Sequence, residues 1–514
     1  MDPRTQFSNP YLPGIFLFFL SFLIALYCYK DYGISWDEPI QRSMGATSYK
    51  YVFNGDKTLL TDGDRDHGVA FEMPLIFIEK AFKITDYTHV YLMRHFVTHV
   101  FFLVSAFFGY ILAYRLYKNK TIACLAFILL VFNPRIYAHS YFNTKDIPFL
   151  SALIIILAIA QIAFEKNKVI WYVLLGAVTG YATSIRAMGI LFAVCICLFF
   201  IVDVLYALLK RQNSKTLLVN FLLFVTAFCG VLYITWPILW SAPWFYFKEE
   251  FLSLAHIPWI GTVLLNGTFY ATDKLPWTYV PIWFSITIPE LWLFLGAVGV
   301  AWVSVLLFKN LILFVTNTTY RNYLLYVLCF FLPVLSVTLL HSINYDDWRH
   351  LYFIYPAFVM LVLFAINKLV NTRAKKILVF LCVLQVMITS FFMIRYHPFQ
   401  QVYFNYLVAH KEEYLRKNFD LDYWGCSDKQ GLEFILEHDT SSVIRVCPPD
   451  QPVINNVFFL GDAVSKRFKI VGPEDHPDYF ITNFRGHPDD YNYSKIFCEK
   501  KVLNSTILAV YKMN

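Results

Sequence analysis

Charge is scarce in this 514-residue chain. Asp, Glu, Lys and Arg together make up 15% of it, where an ordinary soluble domain carries about 25%. The ten cysteines form no CxxC pair and no Cys/His spacing of the zinc type, which excludes dithiol redox and zinc-ribbon classes. No internal repeat or low-complexity tract is present, which excludes solenoids and disordered scaffolds. There is also no long basic stripe. The net charge of +7 comes from small Lys/Arg clusters lying between apolar runs, so a nucleic-acid partner is excluded. Apolar residues are what the chain has in excess: 58% are hydrophobic, including 51 Phe and 35 Tyr, and the mean hydropathy is +0.51. No single globular core hides that much apolar surface, and an exposed patch of that size would aggregate. The composition specifies a polytopic membrane protein.

The first apolar run, Tyr11 to Tyr29, is too long for a signal-peptide core and lacks a small-residue cleavage site, so it is expected to be an uncleaved first span. A long polar segment follows, a first outer loop over residues 30–90. Further runs lie at about 91–113, 121–134, 147–164, 169–185, 187–208, 216–238, 283–308, 322–341, 350–366 and 377–394. Each is near the roughly 20 residues that a bilayer-crossing helix needs, with 121–134 short. The pattern predicts about 11 transmembrane helices.

Alternate loops carry the basic residues: Arg115, Lys118 and Lys120; Lys166 and Lys168; Lys210, Arg211 and Lys215; Lys309 and Arg321; Lys368, Arg373, Lys375 and Lys376. Positive charge assigns these loops to the cytoplasm. The opposite loops hold the acidic residues and most of the Trp. The sequence divides into a transmembrane domain, 1–395, and a C-terminal extracytoplasmic domain, 396–514. The latter reads as a small soluble α/β unit, helical at Gln430 to Glu437, with strands at Ser442 to Val446, Arg467 to Val471 and Thr506 to Tyr511. Outside the cytoplasm its three cysteines, Cys426, Cys447 and Cys498, have the numbers for one disulfide and one free thiol.

Transporters and channels usually carry ionisable residues midway through their spans. Here the span centres are nearly clean, and Asp203, the main intramembrane acid, lies toward the cytoplasmic end of its run. Polar, acidic and aromatic residues gather instead in the outer loops. That distribution suits an enzyme acting at the outer surface on a lipid-linked substrate, with a transporter or flippase of such a substrate as the alternative.

The strongest local signal is Gly33-Ile34-Ser35-Trp36-Asp37-Glu38-Pro39, two adjacent carboxylates just past the first span. Low dielectric on one side can raise a carboxylate's pKa and make it a useful base. The same residues also suit a helix start, where acids around a proline complement the dipole. Both roles stay open on spacing alone. Asp62-Gly63-Asp64-Arg65-Asp66-His67-Gly68 is a dense acidic loop that lacks the terminal glutamate of an EF-hand, so a solvated loop is favoured over a metal site. Arg94 stands at the mouth of the second span. Asn133-Pro134-Arg135 and Asn143-Thr144-Lys145-Asp146 bracket the next outer loop. Arg186 occupies an outer turn, and Asn344-Tyr345-Asp346-Asp347-Trp348-Arg349-His350 precedes the tenth span. Any one of these arginines could be snorkelling. Several on one face suit a phosphate-bearing lipid.

On these residues the chain resembles the GT-C superfamily of membrane glycosyltransferases, and within it the protein O-mannosyltransferase-like group (glycosyltransferase family 39), with the lipid A aminoarabinose transferases as more distant relatives. The Asp37-Glu38 pair stands where that group has its acidic motif. Asp66-His67, Arg94 and Asp146 add to the resemblance, as do Leu275 to Pro281, Trp348 to Pro356, and Asp422-Tyr423-Trp424-Gly425. The resemblance implies a polyprenyl-phosphate sugar donor, an acceptor hydroxyl on a glycan, lipid or protein, and inversion at the anomeric carbon. It implies Asp37 as base and Glu38 as a positioning group. Arg94, Arg186 and Arg349 would hold the lipid phosphate, with Asp146, Asp66 and His67 in the substrate site. No metal or other cofactor is required in principle, because the leaving group is already a phosphate. The group's His-Pro-Pro run is replaced by His67-Gly68-Val69, and its large loop domain between later spans is absent. The resemblance favours a bacterial inner membrane over the endoplasmic reticulum, with the site on the outer face, periplasmic in the first case and lumenal in the second.

Overall fold

The computed structural model describes residues 9–253, 261–493 and 495–513. Among them, eight helices are long and apolar enough to cross a membrane: Tyr87–Tyr117, Asp146–Lys166, Ala187–Leu209, Lys215–Thr235, Glu290–Lys309, Thr318–Leu339, Arg349–Leu369 and Lys375–Arg395. Two shorter apolar helices, Leu12–Cys28 and Val169–Thr183, and one bent pair complete the set. Each of the eleven apolar runs thus becomes a helix or a bent pair, and the chain is an integral multi-pass membrane protein. The small tail is an α/β unit, as expected.

The bent pair differs from expectation. Lys120–Val131 stops at Asn133-Pro134, turns through 61°, and continues as Pro134–Phe142. Asn133 caps the second piece through Ile136 N, with Pro134 in its first turn. Proline cannot continue the first helix but suits the start of the second. All nine residues of Pro134–Phe142 are buried, where the sequence suggested an outer loop. The run at 283–308 is likewise broken, into Tyr279–Thr287 and Glu290–Lys309 around Pro289. The polar segment 30–90 is no open loop either. It folds into Glu38–Asn54 and Glu72–Ala81.

Helix packing depends on close approach. Val169–Thr183 lies against Lys215–Thr235 through Gly176 and Gly180. A Cβ on Gly176 would stand 2.2 Å from the Phe224 carbonyl oxygen, and one on Gly180 2.5 Å from that of Phe228. Small residues four apart let backbones meet where lipid supplies no hydrophobic drive between helices. Asp146–Lys166 and Arg349–Leu369 are almost wholly buried at the centre of the bundle, and each begins with a charged residue. Asp203, in the second half of Ala187–Leu209, pairs with Arg321 Nη1 at 2.8 Å.

β1 (Thr262–Leu265) and β2 (Thr268–Ala271) form an antiparallel hairpin. The tail sheet contains β3 (Ile444–Cys447), β4 (Phe468–Ile470), β5 (Tyr479–Thr482), β6 (Ile496–Val502) and β7 (Ser505–Lys512), in the order β4-β3-β5-β7-β6. β3 runs parallel to β4 and β5, and β7 is antiparallel to β5 and β6. Asp428–His438 packs on the sheet with Leu432 and Ile435 inward. All ten cysteines are free. Cys426, Cys447 and Cys498 are buried, and the one disulfide that their number allows is not formed.

Candidate active site

A cavity of about 660 Å³ opens between the first outer loop, the outer helix ends and the tail. Its position follows from how the segment before Asp37 is held. Gly33 lies so close to the tail that a Cβ there would stand 2.4 Å from the Cys426 carbonyl oxygen. Asn456 receives Ile34 N at 2.9 Å and donates to the Ile34 carbonyl at 3.0 Å, and Trp36 N donates to the Trp424 carbonyl at 3.1 Å. The tail therefore grips residues 33–36 and sets where the next two side chains point.

Asp37 does sit at the start of a helix, Glu38–Asn54, but its carboxylate caps nothing. It faces the cavity, one-third exposed, with Oδ2 3.6 Å from Arg349 Nη1. Burial raises its carboxyl above the usual aspartate range, Arg349 pulls the other way, and Asp346 and Asp146 push up again. Glu38 is oriented differently. Its carboxylate is buried, accepts Ser35 N at 2.8 Å and lies 2.9 Å from His95 Nε2. The two adjacent acids are thus divided between an available carboxylate and an anchored one.

Arg349 is the hub of the charged wall. Its Nη1 is 3.4 Å from Asp146 Oδ2, and its Nη2 donates to Asp346 at 3.2 Å. The guanidinium stacks on Trp424 and Tyr345, 4.6 and 4.8 Å from their ring centres. Asp146 lies beneath the cavity floor, paired with Arg186 and held by Asn143 Nδ2 at 2.9 Å. Arg186 reaches the cavity from its outer turn, which is stitched to the first outer loop where Ala70 N donates to the Ser184 carbonyl at 3.2 Å. Lys145 lines the same wall. Burial and Arg186 lower its ammonium to about 8. His67 and Asp66 stand at the mouth, His67 Nδ1 3.7 Å from Glu250. Burial and Glu249 push the Asp66 carboxyl up.

Arg94 is not brought to the cavity. It is fully buried between Glu72 and Glu79, with Nη1 3.3 Å from Glu79 and a second contact to Glu72. It does not line the cavity, so a phosphate held there would not reach it.

Three features were not among the residues assigned to the site from the sequence, although His350, Arg135 and Asp347 lie in segments named there. Arg485, from the tail after β5, closes one side of the cavity: Nη2 donates to Asp346 at 2.9 Å, Nη1 donates to the Tyr423 carbonyl at 2.7 Å, and the guanidinium lies 5.0 Å from the centre of the Trp36 ring. His350 also lines the cavity. Beside it, Arg135 and Asp347 form a fully buried pair at 2.8 Å, completed by hydroxyls of Tyr352 and Tyr423 on Asp347 and by the Tyr403 carbonyl on Arg135. Asp346 and Asp347 are consecutive left-handed residues, φ 55° and 61°. That strained backbone lets one face the cavity and the other the core. Arg485 sits in an ordinary-looking Asn483-Phe484-Arg485-Gly486 stretch, so no sequence signal pointed to it.

The arrangement can bind an anion against Arg186, Arg349 and Lys145 while presenting the Asp37 carboxylate, one of several acids that line the cavity, to a second reactant. Residues 76–234 match the family described as dolichyl-phosphate-mannose-protein mannosyltransferase. Over that segment the match bears out the resemblance drawn from the sequence. No curated protein matches the chain. Among solved structures, an oligosaccharyltransferase from Archaeoglobus fulgidus in the apo form is similar at 10% identity and a TM-score of 0.47, over 92% of this chain and 70% of that one. ArnT from Cupriavidus metallidurans, bound to undecaprenyl phosphate, is similar at 12% identity and a TM-score of 0.46, over 96% of this chain and 97% of that one. The archaeal oligosaccharyltransferase AglB from Archaeoglobus fulgidus, in complex with an inhibitory peptide and a dolichol-phosphate, is similar at 10% identity and a TM-score of 0.45, over 88% and 66%.

Proposed function

We propose that this protein is a GT-C type glycosyltransferase that moves a sugar from a polyprenyl-phosphate-linked donor to an acceptor hydroxyl, with inversion, on the outer face of a bacterial inner membrane. The observation that carries this reading is the pairing of the one-third-exposed Asp37 carboxylate with the Arg349 guanidinium at 3.6 Å across a cavity also lined by Arg186 and Lys145. In this mechanism Asp37 removes the acceptor proton as the hydroxyl oxygen attacks the anomeric carbon. The bond from that carbon to the phosphate oxygen breaks from the opposite side, and the lipid phosphate leaves carrying its negative charge. Arg349, Arg186 and Lys145 stabilise that charge, the largest contribution available to such a site. Glu38, anchored by His95, fixes the backbone of Asp37. Asp146 orients both arginines, and His67 and Asp66 contact the acceptor side. The chemistry asks the site for position and charge rather than for a bound cofactor. The family match over 76–234 supports the reaction class.

The test is turnover by purified protein in detergent with a panel of polyprenyl-phosphate sugars, following lipid-phosphate release by mass spectrometry beside Asp37→Asn. A donor consumed by wild type and spared by the variant supports the proposal. Equal consumption by both removes Asp37 from the base role. No consumption of any donor, even with membrane extract supplying acceptors, returns the protein to the flippase class.

A further inference from the structure

The helix Pro243–Ser253 carries its polarity the wrong way round for water. Its acids turn toward the protein. Glu250 is buried and lies 3.7 Å from His67 Nδ1. Glu249 lies 3.6 Å from Arg65 Nη2, and the Arg65 guanidinium sits 5.6 Å from the centre of the Tyr246 ring. Phe247 packs edge-on against the buried Trp236. Trp244, Phe245, Phe251 and Leu252 are left uncovered, Trp244 to 79%. Counted at about 100° per residue, these four and Lys248 share one stripe about 120° wide. Buried acids and bared aromatics are the reverse of what water selects.

The neighbouring structure indicates what covers the stripe. The preceding helix, Lys215–Thr235, is a membrane span with a flank open to lipid, where Leu222, Tyr233 and Ile234 are exposed. Only residues 236–242 separate its end from Pro243. They fold back on the span: Pro237–Trp240 is a 3₁₀ turn, and Trp240 Nε1 donates to the Tyr233 carbonyl at 2.6 Å. The uncovered stripe is therefore close to the lipid-facing flank of the span. Its chemistry fits the same surroundings. Indole rings favour the boundary between bilayer and water. A lysine can lay its stem along an apolar surface and keep its ammonium among lipid phosphates.

We infer that Pro243–Ser253 is an interfacial helix whose outward face lies in the leaflet nearest the cavity, with phospholipid as its partner. Its inward face holds Arg65 and His67, and both His67 and Glu250 line the cavity. The bilayer thereby anchors the mouth of the cavity at the height of the lipid headgroups. This placement is independent of the proposed reaction.

The experiment uses the full chain in vesicles of phosphatidylethanolamine with a minor share of phosphatidylglycerol. The photoreactive residue p-benzoylphenylalanine is placed at Phe245, at Leu252 and, as a control, at Lys469, exposed on β4 of the tail. After illumination, mass spectrometry is expected to find phospholipid adducts at 245 and 252 and none at 469. If one labelled chain does not fold, the other carries the test. Adducts at 245 and 252 with a second copy of this chain, or with another protein, overturn the inference, because the stripe would then be a protein interface. So does label that reacts with water alone. Hydrogen exchange tests the anchoring. In the same vesicles Trp244→Ser with Leu252→Ser should speed exchange in residues 62–68 and leave the spans unchanged. An unchanged rate over 62–68 overturns the link to the cavity mouth.

Discussion

Asp37 Oδ2 stands 3.6 Å from Arg349 Nη1, within reach of charge attraction and beyond hydrogen-bond distance. The spacing matters for a base. A carboxylate bound tightly by a guanidinium is a poor proton acceptor, and one buried without a cation is protonated at neutral pH. Asp37 avoids both extremes because Arg349 is shared with Asp146 and Asp346. Asp37→Asn should lower sugar transfer by about 10²–10⁴-fold and leave the unfolding midpoint within a degree or two, since the side chain makes no capping bond. Lipid-phosphate release and a thermal scan on the same preparation check this.

The pH profile of transfer should be bell-shaped. Burial raises the Asp37 carboxyl, so its charged form is lost, and activity falls, as pH drops through a value above the ordinary aspartate pKa of about 3.9. Lys145 is lowered to about 8 by burial and Arg186. As pH rises through that value the ammonium loses its proton and the phosphate loses a counter-charge. Lys145→Arg keeps the charge at high pH and should move the alkaline limb upward while the acid limb stays in place. An unmoved alkaline limb would remove Lys145 from phosphate binding.

Much of this arrangement was legible from residue type and placement. The apolar runs mark the helices, and the acids and arginines between outer runs mark the face on which Asp37, Arg186 and Arg349 meet. What could not be read was contact across distant segments. Arg485 lies 139 residues from Asp346, and only the fold of the tail brings them together. Arg94 misleads for the opposite reason. An arginine at a span mouth is consistent with phosphate binding, and nothing in the linear order reveals that Glu72 and Glu79 fold back onto it. The hidden helix Pro134–Phe142 is polar enough to pass for a loop. Its burial is supported by the Arg135–Asp347 pair and by the Trp283 and Phe404 rings that pack on the Arg135 guanidinium.

Arg485→Ala should loosen the tail where it borders the cavity, while the Asn456 and Tyr423 contacts keep it docked. The side chain links the Tyr423 carbonyl to Asp346 and covers Trp36, and a charge-assisted hydrogen bond is worth about 1.5–3 kcal/mol. Limited proteolysis of the tail should quicken, and transfer should fall through a higher KM for the acceptor more than through kcat. Arg485→Lys keeps the charge but loses the fork that reaches both partners, so it should restore little.

Arg94→Ala separates a structural from a phosphate-binding role. The guanidinium is fully buried against two carboxylates, and removing one partner of a buried pair costs about 3–5 kcal/mol because the remaining charges are left uncompensated. The unfolding midpoint should drop sharply. Replacing Glu72 by Gln in the same chain should recover much of that loss, because Glu79 keeps its pair with Arg42 at 2.9 Å and no bare carboxylate then remains. If Arg94 instead bound the leaving phosphate, the double variant would stay inactive with its stability regained, and the donor KM would rise. A double variant that folds and turns over with near-normal donor KM assigns Arg94 to the scaffold that holds Glu72–Ala81.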